Sequence, residues 1–137
     1  MINAATKASS YTKILAVSLL SHHDQKSINE IGIKQSIQNE IKKLVLNALK
    51  NNTSGLILAP KDLEITKKIK KNITIFVPGI RTKKNKKNEH KRTMDPLSAI
   101  KKGATYIIIG RPITESKKPK KTLELINKEI KNYLEKN

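Results

Sequence analysis

The sequence predicts an α/β protein of four βα units around a parallel sheet, and three observations carry that expectation. Four short runs are apolar almost throughout: "KILAVSLL" (13–20), "SGLILAP" (54–60), "ITIFVPG" (73–79) and "TYIIIG" (105–110). Continuous runs of this length fit parallel strands buried on both faces. Between and after them lie stretches whose apolar residues recur at steps of three and four, the spacing of a helix with one buried face. The order β-α-β-α-β-α-β-α then calls for a parallel sheet with right-handed crossovers.

Each element has its own signature. Residues 1–12 read as the tail of a preceding helix, leading into the first strand. Ile33, Ile37, Ile41, Leu44, Val45, Ala48 and Leu49 form one apolar stripe before the second strand. Leu63, Ile65 and Ile69 mark a shorter helix in "KDLEITKKIKK" before the third. The polar stretch 81–94, "RTKKNKKNEHKRTM", is a βα loop of insertion size, and such loops carry function or disorder. Asp95 is a helix N-cap with Pro96 at the first helical position, opening "PLSAIKK". Pro119 opens a last helix with Leu123, Ile126, Ile130 and Leu134 on one face. A closed barrel needs eight βα units. Four suit either an open sheet covered on both faces or half a barrel with two raw edges that demand a partner.

Composition narrows the function classes. The chain of 137 residues has room for one compact domain, and with 3% aromatic residues its core must be aliphatic. It contains no cysteine, which excludes disulfides and thiolate metal sites and suits the cytoplasm. The apolar runs are far shorter than the ~20 residues that span a bilayer, and the first residues lack the pattern of a signal peptide. The expectation is a soluble cytoplasmic protein. A formal charge of +18 invites a nucleic-acid partner. Against this, arginine occurs at positions 81, 92 and 111 alone, every other basic residue being lysine among many Ile and Asn. Nucleic-acid readers use arginine forks and aromatic stacking, and both are scarce here. The lysines read as solvated faces.

In parallel α/β proteins, ligands sit beyond the C-terminal ends of the strands. Those ends are Ser21-His22-His23-Asp24, Ala59-Pro60, Pro78-Gly79-Ile80-Arg81 and Gly110-Arg111-Pro112. Two of them pair glycine with arginine, which lets a ligand approach the backbone and meet a guanidinium fork. In a chain that otherwise uses lysine, Arg81 and Arg111 point to an anion site. Arg92, inside the loop, reads as a structural ion pair or loop anchor. Adjacent His22 and His23 on an extended segment would point opposite ways, so no metal site is expected. His90 either folds over a ligand or is an exposed loop histidine. No D-x-K-x-x-D cluster appears, and no strand end carries an evident general acid or base. The site reads as binding without chemistry.

"VPGIR" (77–81) and "HKRTMDPLSAIKKGATYIIIGRPIT" (90–114), with the spacing between them, resemble orotidine 5'-phosphate decarboxylases. "ILAVSLLS" (14–21) and "SGLILAPKDLE" (54–64) resemble that family's fifth and sixth strands, and "MINAA" the helix before them. Related barrels lack the paired PGIR and IGRPIT texts. The resemblance implies strands 5–8 of a (β/α)8 TIM barrel, and a lyase that converts orotidine 5'-phosphate to UMP and CO2 with no cofactor. By position it implies that Arg111 and the Gly110 backbone hold the substrate phosphate, with Arg81 as a second ligand-contacting arginine. Ser21 takes the place of a threonine near pyrimidine and ribose, and His90 that of a glutamine bridging phosphate and base. The family's Lys/Asp array belongs to its third strand, to which nothing here corresponds. The chain would then supply the phosphate side alone and be inactive without an N-terminal half-barrel. An inactive remnant that self-associates is the alternative.

Overall fold

The computed structural model of the protein describes residues 1–67, 72–82 and 92–136. Helix α1 (Ile2–Ala8) precedes strand β1 (Leu15–Val17), followed by α2 (Gln25–Glu30) and α3 (Ile37–Lys50). Strand β2 (Gly55–Ile57) runs through a 3-10 turn at Pro60–Asp62 into α4 (Leu63–Thr66). Then come β3 (Thr74–Val77), α5 (Pro96–Lys101), β4 (Tyr106–Ile107), α6 (Arg111–Thr114) and α7 (Pro119–Leu134). The sheet order is β1-β2-β3-β4, every neighbouring pair parallel. This is the α/β arrangement of four consecutive βα units that the sequence predicts.

Register sorts the strand residues into two faces, because side chains alternate along a strand and hydrogen-bonded neighbours share a side. Ala16, Leu56 and Ile75 lie abreast, as do Val77 and Ile107 one layer on. These residues and Leu58 join Ile37, Ile41, Val45 and Ala48 of α3, and Ala99 of α5, in one aliphatic core. The other face carries Val17, Ile57, Phe76 and Tyr106 abreast, with Phe76 and Tyr106 rings stacked at 4.7 Å. Val17, Tyr106 and Ile108 on that side are about half exposed, at 49%, 55% and 47%. The continuous apolar runs thus have two apolar faces, as expected, but helices cover one of them. Covering the second is worth about 25 cal/mol per Å2 of apolar surface.

Local signals explain the element boundaries. Asp95 accepts a hydrogen bond from the Ser98 amide at 2.9 Å, and Pro96 sits at the first helical position as the sequence indicates. Two short helices, α2 and α6, have no counterpart among the elements the sequence predicts. Asp24 caps α2 in a reciprocal box with Ser27, so its carboxylate serves the backbone. Ile33 precedes α3, whose cap is Ser36, and so the predicted stripe spans a turn before the helix begins. Ile69 of the predicted stripe after β2 lies outside the described residues. Among the described residues, no helix is long and apolar enough to cross a membrane.

Gly55 opens β2, paired with Leu15 of β1 on one side and Thr74 of β3 on the other. A Cβ there would meet the Thr74 carbonyl oxygen at 2.7 Å and Leu15 Cδ2 at 2.8 Å. The backbone oxygen cannot yield without parting the two strands. Gly55→Ala is expected to lower the unfolding free energy by about 1–3 kcal/mol, read from urea denaturation followed by circular dichroism.

Candidate functional site

Four parallel strands in chain order bring all their C-terminal ends to one rim, and the rim collects the residues singled out from the sequence. Ser21 follows β1, Pro60 and Asp62 follow β2, Gly79 and Arg81 follow β3, and Gly110 and Arg111 follow β4. Gly79 has φ of +76°, a left-handed conformation that favours glycine. A Cβ on it would come within 3.5 Å of Pro60 Cδ, 3.6 Å of Ser21 Oγ and 3.7 Å of the Arg92 carbonyl. The ends of β1, β2 and β3 therefore converge on this glycine. Ser21 is buried there, while the apolar cleft beside it, of about 250 Å3, is lined by Val17, Leu19, Ile57 and Pro78.

The loop after β3 closes on itself at its root. Ile80 bridges to Met94, and the Arg81 amide donates to the Met94 carbonyl at 2.9 Å. This neck fixes where Arg81 starts. Its Nη1 donates to the Ile80 carbonyl at 2.8 Å, while Nη2 is buried without a hydrogen-bond partner among the described residues. Burial, reinforced by the positive charge of Arg111, pulls the Arg81 guanidinium below its ordinary pKa, and Glu115 partly opposes them. Arg81 and Arg111, from adjacent strand ends, lie near enough for their like charges to be felt, with Glu115 offsetting part of the repulsion. An oxyanion with several acceptor oxygens would relieve the repulsion and satisfy the stranded N–H. Gly110 is exposed, and a Cβ there would have nothing within 4 Å, so the backbone beside Arg111 is open to approach.

Arg92 is the deepest of the three arginines. Its Nη1 lies 2.7 Å from both Asp62 carboxylate oxygens, and its Nη2 donates to the Leu20 and Leu19 carbonyls at 2.8 and 3.2 Å. Asp62 and Arg92 are 6% and 8% exposed. The expectation of a structural ion pair holds for Arg92. Its partner, thirty residues away, carried no sequence signal that singles it out from the other acids.

Other readings are corrected or left aside. The His22 and His23 rings do not point opposite ways; their centroids are 4.3 Å apart. The cause is the turn after β1, where the His23 amide donates to the Leu20 carbonyl, so the segment is not extended. His23 Nδ1 lies 3.3 Å from Ser27 Oγ, and no group of three potential metal-ligating side chains forms among the described residues. Asp24, Lys26 and Asn29 come within one residue of a D-x-K-x-x-D array. They occupy the cap and turns of α2 rather than a strand. His90 and the lysine pairs 83–84 and 86–87 lie outside the described residues.

Fold and rim together define a parallel βα protein of the barrel type with arginines at its C-terminal edge. The chain belongs to the orotidine 5'-phosphate decarboxylase / HUMPS family, whose model matches residues 1–126. It is 37% identical over 137 residues to the orotidine 5'-phosphate decarboxylase of Wigglesworthia glossinidia brevipalpis, covering 96% of this chain and 59% of that protein. It is 38% identical over 121 residues to that of Aquifex aeolicus, covering 87% and 52%. Among solved structures, orotidine 5'-phosphate decarboxylase from Lactobacillus acidophilus superposes with a TM-score of 0.74 at 26% identity, covering 95% of this chain and 58% of that one. The Pyrococcus horikoshii enzyme shares the fold with a TM-score of 0.68 at 23% identity, over 93% and 55%. The chain spans somewhat over half the length of these relatives, and its sheet is half of such a barrel.

The Asp62–Arg92 pair makes a signed prediction. Burial raises the Asp62 carboxyl above its usual 3.8, and the charge and hydrogen bonds of Arg92 pull it part of the way back. A carboxyl raised on folding binds its proton more tightly in the folded chain. Its contribution is present in full below the unfolded value and is lost as pH rises through the raised one. Wild-type stability should therefore carry a downward component just above pH ~4 that Asp62→Asn removes, measured by urea unfolding at successive pH values. Asp62→Ala at neutral pH leaves the Arg92 charge buried without its carboxylate and should cost about 3–5 kcal/mol.

Proposed function

We propose that this chain is the phosphate-holding half of an orotidine 5'-phosphate decarboxylase, acting in pyrimidine synthesis together with strands that supply the Lys/Asp array. The observation that carries the reading is the placement of Arg81 and Arg111 beyond the ends of adjacent strands β3 and β4, with Arg81 Nη2 buried and lacking a hydrogen-bond partner among the described residues. Arg111 and the Gly110 backbone take the 5'-phosphate of orotidine 5'-phosphate or UMP. Arg81 supplies a second fork from the neck of its loop. Buried Ser21 lies against Gly79, facing the pyrimidine and ribose side of the ligand. His90 takes the sequence position that a glutamine holds in the family. The family membership and the relatives' names support the substrate class.

This half performs recognition, and the decarboxylation step needs groups that the chain does not contain. No D-x-K-x-x-D array occurs in its sequence, so in this reading the lysine that protonates C6 and the aspartates that oppose the leaving carboxylate come from the other half. The reaction follows only when the other four strands close the barrel over the apolar face of Val17, Ile57, Phe76 and Tyr106. These strands form an N-terminal half-barrel, the partner this reading calls for. The half-exposed face also favours a second reading, a phosphate-binding half-barrel that covers itself with its own copy and does no catalysis.

The purified 137-residue chain is expected to release no CO2 from orotidine 5'-phosphate. Mixed with the N-terminal half of a relative it should turn over. Arg111→Ala in the same mixture should lower kcat/KM by roughly 100-fold or more, the scale of a lost charge-assisted phosphate contact. Turnover by the isolated chain contradicts the proposal, whereas a stable homodimer that no N-terminal half activates favours the second reading.

A further inference from the structure

Arg92 does something that neither a surface charge nor a stability device would do. Its guanidinium joins Asp62, beyond β2, to the carbonyls of Leu19 and Leu20, beyond β1. Its own carbonyl lies against Gly79, beyond β3. Two residues later Met94 accepts the Arg81 amide and closes the loop neck. One side chain thus ties three successive strand ends to the root of the loop, directly before Ser21 on one side and close to Arg81 on the other. Buried ion pairs of this kind contribute little net stability, since desolvation offsets the attraction. What they supply is a fixed geometry, because a fork bonded to a carboxylate and two carbonyls has few alternatives.

We propose that Arg92 is a positioning residue of the ligand site, and that its link from Asp62 to the Leu19 and Leu20 carbonyls sets where Ser21 and Arg81 stand. The proposal rests on the phosphate-ester reading of the site for its ligand, and on the strand-end geometry alone for the positioning itself. Arg92 does not touch ligand; it acts through Ser21 and the loop neck.

The test replaces both members of the pair by apolar residues of similar size, Arg92→Met with Asp62→Leu, so that no unpaired charge stays buried. Arg92→Lys is the companion variant, keeping charge and one contact but losing the fork. Two readouts are taken on the full chain: UMP affinity by calorimetry, and exchange of the Arg81 and His23 amides, whose acceptors are the Met94 and Leu20 carbonyls. The Val45 amide in α3 serves as the control for global opening. The folded double variant should bind UMP at least tenfold more weakly and exchange the Arg81 and His23 amides at least tenfold faster, with Val45 unchanged. Arg92→Lys should fall between it and wild type. Were the double variant unfolded by circular dichroism, the same two readouts on Arg92→Lys decide. Unchanged affinity in a folded variant overturns the proposal, as does unchanged exchange at both amides. If wild type binds no UMP, the functional reading fails, and the exchange measurement still decides the positioning.

Discussion

Parallel pairing in chain order is the constraint from which the rest of this molecule follows. Because β1, β2, β3 and β4 pair in sequence, each carboxyl end reaches the same rim, and every βα connection starts there. Residues more than fifty positions apart, such as Ser21 and Gly79, become neighbours without any device beyond the sheet itself. Among the described residues the same constraint leaves two strand edges unpaired and one apolar face with half-exposed Val17, Tyr106 and Ile108. Stability of small domains amounts to about 5–15 kcal/mol, so an uncovered face of this size bears directly on whether the sheet is complete by itself.

The arginines divide the work at that rim. Arg92 is spent internally, its two terminal nitrogens held by Asp62 and two carbonyls. Arg81 and Arg111 are less buried, and they carry like charges at the ends of adjacent strands, with Glu115 partly offsetting them. Lysine could supply the charge at either place. It could not supply the planar fork, which explains why a chain so rich in lysine keeps arginine at these three positions.

Legibility from sequence followed the range of the interaction. The strands were readable because each is a short continuous apolar run, and α5 and α7 because proline and a cap or an apolar stripe mark their starts. Arg81 and Arg111 stand out by residue type at strand ends, so the cationic rim is visible in the sequence alone. The contact between the His22 and His23 rings was not, because it depends on a turn that ends β1 earlier than its apolar run suggests. Helix α2 was missed for the same reason, Asp24 having been read with the histidines rather than as a cap. The Asp62–Arg92 pair marks the limit. Asp62 looks like any other helix-start acid, and only the placement of Arg92 against the ends of β1 and β2 gives it a partner.

The central claim is that the rim grips a phosphate through Arg81 and Arg111. Its most direct measurement is a nuclear magnetic resonance titration of the arginine side-chain Nε–H signals with UMP and, separately, with uridine. The account predicts that UMP shifts the Arg81 and Arg111 signals while uridine leaves both in place, and that Arg92 responds little to either. Equal responses to UMP and uridine, or a UMP response confined to residues away from the rim, would contradict it.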